Sequence, residues 1–151
     1  MRIPSFGEKE PGEQYQKRVG VYVVIPDEKT QEIVLVQAPN GAFFLPGGEM
    51  EGTETRLETL RRELLEELGY QALAPVYLGQ ADEYFFSRHR DTHFFNPGYF
   101  YAAAGFKREA APLEDFNHIL WFPIDEAIEK LKRGSHKWAV ECWQKEYLNS
   151  K

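Results

Sequence analysis

The stretch Gly48–Tyr70, GEMEGTETRLETLRRELLEELGY, constrains this chain more than any other. It reads as a glycine-rich turn feeding a helix crowded with glutamates. Thr53 is placed to cap the helix, Glu54 supplies the negative charge an N-terminus favours, and Gly69 stands where a C-terminal cap belongs. Leu57, Leu60, Leu64 and Leu68 recur at three and four residues, with Leu65 widening the stripe, which predicts one buried face. Glu63, Glu66 and Glu67 fall at i, i+3 and i+4, so three carboxylates share one surface patch. Like charges at that spacing repel by about 0.2–0.5 kcal/mol per pair. A solvated acidic face tolerates this cost. A hard cation such as Mg2+, which takes carboxylate and phosphate oxygens, offsets it. Ahead of the helix, Phe43-Phe44-Leu45 is short and apolar. Pro46-Gly47-Gly48 then predicts a sharp turn with open backbone amides, suited to an anion or to close packing, and Gly52 allows a second turn.

The 151 residues suffice for one domain with a core, spanning 1–151, with residues 1–17 as an extended, polar N-terminal arm. Apolar residues make up 42% and aromatics 15%, a folded rather than a disordered composition. The net charge of -6 argues against a long nucleic-acid footprint, though not against a small basic patch. Cys142 is the only cysteine, so no disulfide framework is expected, and it reads as a core filler rather than a nucleophile. No signal-peptide pattern and no run of eighteen apolar residues occurs, so no membrane span is expected and the cytoplasm is the expected compartment.

Along the chain, Val19 to Ile25 reads as a strand buried on both faces, and Ile33 to Gln37 as the next, separated by a turn at Pro26 to Lys29. After the glutamate helix come strands at Ala72 to Gln80 and Asp82 to Ser87, a charged turn at Ser87 to Asp91, then His93 to Phe95 and Tyr99 to Ala104. Asn96-Pro97-Gly98 reads as a break between the last two. Ile119 to Phe122 is a further strand. Asp125 is placed to begin a helix that Gly134 ends, and Ser135 to cap the last one, with Trp138, Ala139, Cys142, Trp143 and Tyr147 along its apolar face. Strands, helix, strands, helix, helix, with hairpins among them, predict an α+β fold with a mixed sheet between helices.

Gly48–Tyr70 resembles the signature of the Nudix hydrolases. Gly48 matches the first glycine and Glu54 the first glutamate; Arg62-Glu63 follows after seven residues, then Leu64, Leu65, Glu66-Glu67, Leu68 and Gly69. Tyr70 departs from the usual aliphatic residue. The resemblance implies an α/β/α sandwich. It also implies a divalent metal, Mg2+ with Mn2+ as a substitute, held by Glu63, Glu66 and Glu67 with a backbone carbonyl near Gly48. Arg62 is implied to orient the glutamates, paired with Glu54. Leu45-Pro46-Gly47-Gly48 departs from the lysine-containing version found in dinucleoside polyphosphate hydrolases.

The expected reaction is Mg2+-dependent hydrolysis of a diphosphate linkage in a nucleoside diphosphate derivative. The favoured substrate is a nucleoside triphosphate, oxidised ones included, giving a monophosphate and pyrophosphate. An ADP-ribose or sugar-nucleotide pyrophosphatase, whose site a homodimer could complete through residues 1–17, is the alternative. A non-catalytic nucleotide-binding module and an RNA 5′-end processor are readings of other classes. The general base stays open among His118, whose ordinary pKa near 6.5 suits the task, Glu114 and Glu83. His89 and His93 read as surface residues. Tyr22, Phe44, Tyr84, Phe85, Phe95 and Trp121 are candidate aromatic walls, and Arg88, Arg90, Lys107 and Arg108 candidate phosphate contacts.

Overall fold

The structure is a computed structural model and describes residues 2–148; the side chain of Tyr147, placed above on the last apolar face, lies outside the described residues. In chain order the elements are β1 (Ser5–Phe6), β2 (Tyr15–Lys17), β3 (Gly20–Val24), β4 (Pro26–Asp27), β5 (Glu32–Gln37), β6 (Phe43–Phe44), β7 (Gly47–Glu49), α1 (Arg56–Glu67) and β8 (Tyr70–Leu73). Then follow β9 (Val76–Ser87), β10 (Thr92–Ala102), β11 (Gly105–Arg108), β12 (His118–Pro123), α2 (Ile124–Lys130) and α3 (Gly134–Trp143), with a π-helical turn over Gln144–Leu148.

The main sheet runs β1-β9-β10-β3-β7, with β2 also beside β10. It is mixed: β9 and β10 form an antiparallel hairpin, whereas β10 runs parallel to β3. A second sheet runs β12-β5-β4, with β6 on β5, and β8 pairs β11. Alternation along β3 explains the layering. Val21, Val23 and Ile25 pack with Leu60, Leu64 and Leu68 of α1, while Tyr22 and Val24 pack with Ala127, Ala139, Val140 and Trp143 of α2 and α3. Helices therefore cover both faces, the expected α+β sandwich. Each of the three α1 leucines is fully buried, contributing about 1.5–3 kcal/mol.

Several local expectations are corrected. Thr55, not Thr53, caps α1: its side chain accepts from Glu58 N, and the Glu58 carboxylate accepts from Thr55 N, a reciprocal capping box. Leu57 is 51% exposed, and Thr59 takes the buried place near the helix start. Gly69, at φ +74, closes the helix by donating to Leu64 O. Gly47–Glu49 is a short strand on β3, not an open turn. Gly134 opens α3 rather than ending α2, Pro123 precedes α2, and Ser135 lies inside α3. Cys142 is half-buried. Within the expected N-terminal arm, Ser5–Phe6 and Tyr15–Lys17 join the main sheet as β1 on β9 and β2 on β10.

β9 and β10 are each continuous where breaks were expected. Pro97 fits inside β10 for a definable reason. Its partner Asp82 donates its N–H to Pro4 O, away from β10, so the 82/97 pair exchanges no hydrogen bonds. The ring nitrogen of Pro97 faces the gap between β2, which pairs residues 93–95, and β3, which pairs residues 98–102. The irregularity lies elsewhere, at Phe100/Tyr101 opposite Gly79 and Tyr77, where Leu78 is the extra residue.

Candidate active site

The capping box starts α1 so that Arg62 and the three glutamates face β7 and the loop before the helix. Arg62 ties these parts together. Its Nε and Nη2 donate to the two Glu54 oxygens at 2.7 and 3.0 Å. Nη2 also reaches the Glu49 carbonyl at 2.9 Å, and Nη1 donates to Glu63 at 2.9 Å and Glu66 at 3.5 Å. Glu54 in turn receives Glu51 N and the Thr59 hydroxyl, each at 3.0 Å. The Arg62 bonds, then the Glu51 amide, hold Glu54 down to about 2. Arg62 is held charged well beyond its ordinary range, chiefly by Glu54.

β7 brings backbone against the carboxylates. Gly47 N donates to Glu67 at 2.9 Å. A Cβ at residue 48 would meet the Glu63 carboxyl group and displace it from the strand. Burial pushes Glu63 up to about 7, against the pull of Arg62 and with help from Glu66 and Glu114. Burial also pushes Glu67 well above the carboxylate range, with the Gly47 amide opposing and Glu63 and Glu114 assisting. The patch holds more negative charge than one arginine neutralises, and every side-chain donor is oxygen. That set fits a hard divalent cation. Glu63, Glu66 and Glu67, with the Gly48 carbonyl, are the groups that would hold it. Among the described residues the His, Cys, Asp and Glu group whose ligand atoms lie within 4.8 Å of one another is Glu10, Glu13 and His93, two of them exposed.

Glu67 also forms the rim of a cavity of about 200 Å³ lined by Tyr22, Val36, Phe44, Leu45, Asn117 and Arg133 among others. A larger cavity of about 800 Å³ opens elsewhere, between Pro26, Asp27, Ala74, Ala102 and Trp143, and contains none of these glutamates. The smaller one touches the acidic patch and is the one that matters for chemistry there.

The family is decided by a further match: the NUDIX domain profile aligns with residues 16–143. The chain belongs to the Nudix family. It is a hydrolase of that family, whose members act on small nucleotide substrates. Its fold is similar to that of a MutT protein from Bacillus halodurans, with 23% identity, 82% of this chain and 80% of that chain covered, and a TM-score of 0.66. A MutT NUDIX hydrolase from Burkholderia pseudomallei shares 27% identity over 83% of this chain and 97% of that chain, with a TM-score of 0.59. The E. coli dihydroneopterin triphosphate pyrophosphohydrolase shares 18% over 89% and 98%, with a TM-score of 0.64. No curated protein matches by sequence. No helix among the described residues is long and apolar enough to cross a membrane.

In this Nudix hydrolase, the structure brings Gly48, Glu54, Arg62, Glu63, Glu66 and Glu67 together. His118 is exposed at the start of β12, at the register of Gln37, and forms no hydrogen bond or ion pair with them among the described residues. Glu114 is the acid outside the box that reaches the patch. Its N–H donates to the Glu66 carbonyl at 2.9 Å, and burial, then Glu66, raises its pKa. Glu83 is buried, but its carboxylate receives Ser135 N at 3.0 Å and belongs to the start of α3. His89, Arg88 and Arg90 are exposed, and His93 packs beside Tyr15 and Phe86. Arg108 lies over Tyr70, and Lys107 is exposed. Tyr70 is a packing residue, stacked on Phe106. Of the aromatic candidates, Tyr22 and Phe44 line the cavity; Trp121 packs on Phe106, and Tyr84 on Phe95. Sequence reasoning missed Asn117 and Arg133, which carry no motif and meet only through the fold.

Proposed function

We propose that this Nudix hydrolase cleaves a nucleoside triphosphate, plain or oxidised, to the monophosphate and pyrophosphate in a Mg2+-dependent reaction. The observation that carries this reading is the grouping of Glu54, Glu63 and Glu66 around Arg62, with Glu67 bonded to Gly47 of the adjoining strand and Glu114 beside Glu66, next to a cavity with aromatic walls. Bound Mg2+, or Mn2+ in its place, would withdraw charge from phosphate oxygens and acidify a water. Glu63, Glu66, Glu67 and the Gly48 carbonyl are the groups that would hold it. Arg62 and Glu54 keep these carboxylates in place rather than touching substrate, since Arg62 has its donors committed within the protein.

Glu114 serves as the general base in preference to His118. It borders Glu66, and burial, then Glu66, raises its pKa and makes it the more basic carboxylate there, whereas His118 faces solvent. Glu114 takes a proton from the attacking water. The water oxygen bonds to the α-phosphorus, the bond from that phosphorus to the bridging oxygen breaks, and pyrophosphate departs with the bridging oxygen. The small cavity takes the base, because at about 200 Å³ it is below the roughly 300–1,000 Å³ that whole ligands occupy.

The test is product analysis by ion exchange after incubation with nucleoside triphosphates, 8-oxo-dGTP, ADP-ribose and sugar nucleotides, with Mg2+ or with EDTA. Pyrophosphate formed only with Mg2+, and lost in Glu67→Gln, supports the reading. AMP from ADP-ribose with triphosphates untouched would replace it with the dinucleotide pyrophosphatase reading.

A further inference from the structure

Arg133 sits at the α2–α3 junction, at the N-terminal boundary of α3, largely out of solvent, and lines the small cavity. Its guanidinium carbon lies 3.9 Å from the Phe85 ring centroid and 4.9 Å from that of Phe44. Among the described residues no carboxylate comes within ion-pairing distance of it. Glu83 influences it electrostatically but is bonded to Ser135 N. The Tyr22 hydroxyl hydrogen-bonds it, and that hydroxyl also donates to Asn96 at 3.4 Å. A guanidinium carries five N–H donors and no acceptor. Tyr22 engages one side of the half-buried fork and no carboxylate engages the rest, so donors on the cavity side are free to meet a ligand's acceptors.

The wall around it is rigid. His136 is fully buried, and its Nδ1 accepts Leu45 N at 3.0 Å, which pins the Phe44–Leu45 side of the cavity. Phe44 and Tyr22 give flat apolar surface, and Glu67 lines the same cavity. A phosphate in this cavity would lie beside Glu67 with only one cation to meet it. A base presents a flat face to the rings and acceptor atoms to the arginine.

We infer that the Arg133 fork reads the O6 and N7 edge of a 6-oxopurine base in this cavity, which makes Arg133 the specificity-determining residue. The inference rests on the nucleotide reading above and deepens it. Arginine pairs with two adjacent acceptors, O6 and N7 of guanine, whereas adenine offers an N6 donor at the first of those positions. An 8-oxo-purine in its keto form carries a proton on N7 and presents a donor where the fork needs an acceptor. The site therefore selects the unoxidised 6-oxopurine over both adenine and its oxidised counterpart.

The experiment is an NMR titration of the intact protein in EDTA with GMP, IMP, AMP and 8-oxo-GMP, so that no turnover is needed. GMP and IMP are expected to bind alike and roughly 5- to 100-fold more tightly than AMP or 8-oxo-GMP, the range a bidentate arginine contact gives. Arg133→Lys keeps the charge but not the fork and is expected to level the four affinities. Should Arg133→Lys not fold, the GMP against 8-oxo-GMP comparison on the unaltered protein decides. Equal binding of GMP and AMP, tight GMP with weak IMP, or unchanged selectivity in Arg133→Lys would each overturn the inference. Selective GMP binding by a protein that hydrolyses no triphosphate would instead sink the proposed reaction and leave the base reading standing.

Discussion

Two arginines in this molecule meet opposite conditions. Arg62, 24% exposed, is ringed by acceptors: both Glu54 oxygens, the Glu49 carbonyl, Glu63 and Glu66. Arg133, also withdrawn from solvent, lies over two phenyl rings and has no carboxylate partner among the described residues. The same side chain thus serves as a frame in one place and as an open receptor in the other. The difference lies in what surrounds it. Around Arg62 the protein supplies more negative charge than it neutralises, which leaves room for a cation. Around Arg133 it supplies too few acceptors, which leaves room for a ligand edge.

Turnover separates the two regions most sharply. Glu67→Gln keeps an oxygen for the Gly47 amide but removes the charge. Activity is expected to fall roughly 10²–10⁴-fold on every nucleotide alike. Its melting temperature should hold or rise, because a buried carboxylate that resists ionisation is replaced by a neutral amide. Steady-state rates on GTP and ATP, with melts in parallel, check both halves. A loss confined to one base would erase the division between the acidic patch and the cavity.

Stability separates them next. Arg62→Met strands Glu54, Glu63 and Glu66 without their cation and is expected to cost about 2–3 kcal/mol. Arg133→Met leaves no carboxylate stranded and sets a flexible thioether among rings, so its stability should stay within about 1 kcal/mol of the parent. Urea denaturation of both variants measures the contrast. Equal losses would mean that Arg133 is also a frame.

How much of this was legible in sequence follows the same division. The acidic side is local: Glu54, Arg62, Glu63, Glu66 and Glu67 lie within fourteen positions on one loop and helix, so spacing alone places them on a shared face. The cavity is not local. Tyr22, Phe44, Asn117 and Arg133 come from four separate segments, and no periodicity links them. Gly134 misled for a related reason, since a glycine beside a helix end looks the same whether the helix stops or starts there. Pro97 misled because the missing N–H matters only where a neighbour would accept it, and the gap between β2 and β3 is set by the whole sheet. The helix itself was readable except at Leu57 and Thr53. There Thr55 and Glu58 outcompete the earlier cap, and Thr59, bonded to Glu54, fills the place the leucine stripe assigned to Leu57.

The smallest expected effect lies within the acidic side, where Glu54 and Glu63 share Arg62 and yet titrate in opposite directions. Glu54 is held at about 2, below the ordinary 4.5, so its stabilising contribution is present above pH 4.5 and is lost as pH falls toward 2. Glu63 is raised to about 7. Below pH 4.5 folded and unfolded chains both hold its proton. Between pH 4.5 and 7 only the folded chain does, so stability declines as pH rises through that window and levels above it. Thermal melts without divalent metal should therefore drift down from pH 5 to pH 7.5, and Glu63→Gln should lessen the drift, Glu67 and Glu114, raised in the same direction, supplying the remainder. Added Mg2+ should raise the melt more at pH 7.5 than at pH 5, because an ion must displace the same proton. A Mg2+ shift that ignores pH, or a drift that Glu63→Gln leaves undiminished, would move the ion away from Glu63 and leave the surplus charge beside Arg62 as a purely structural feature.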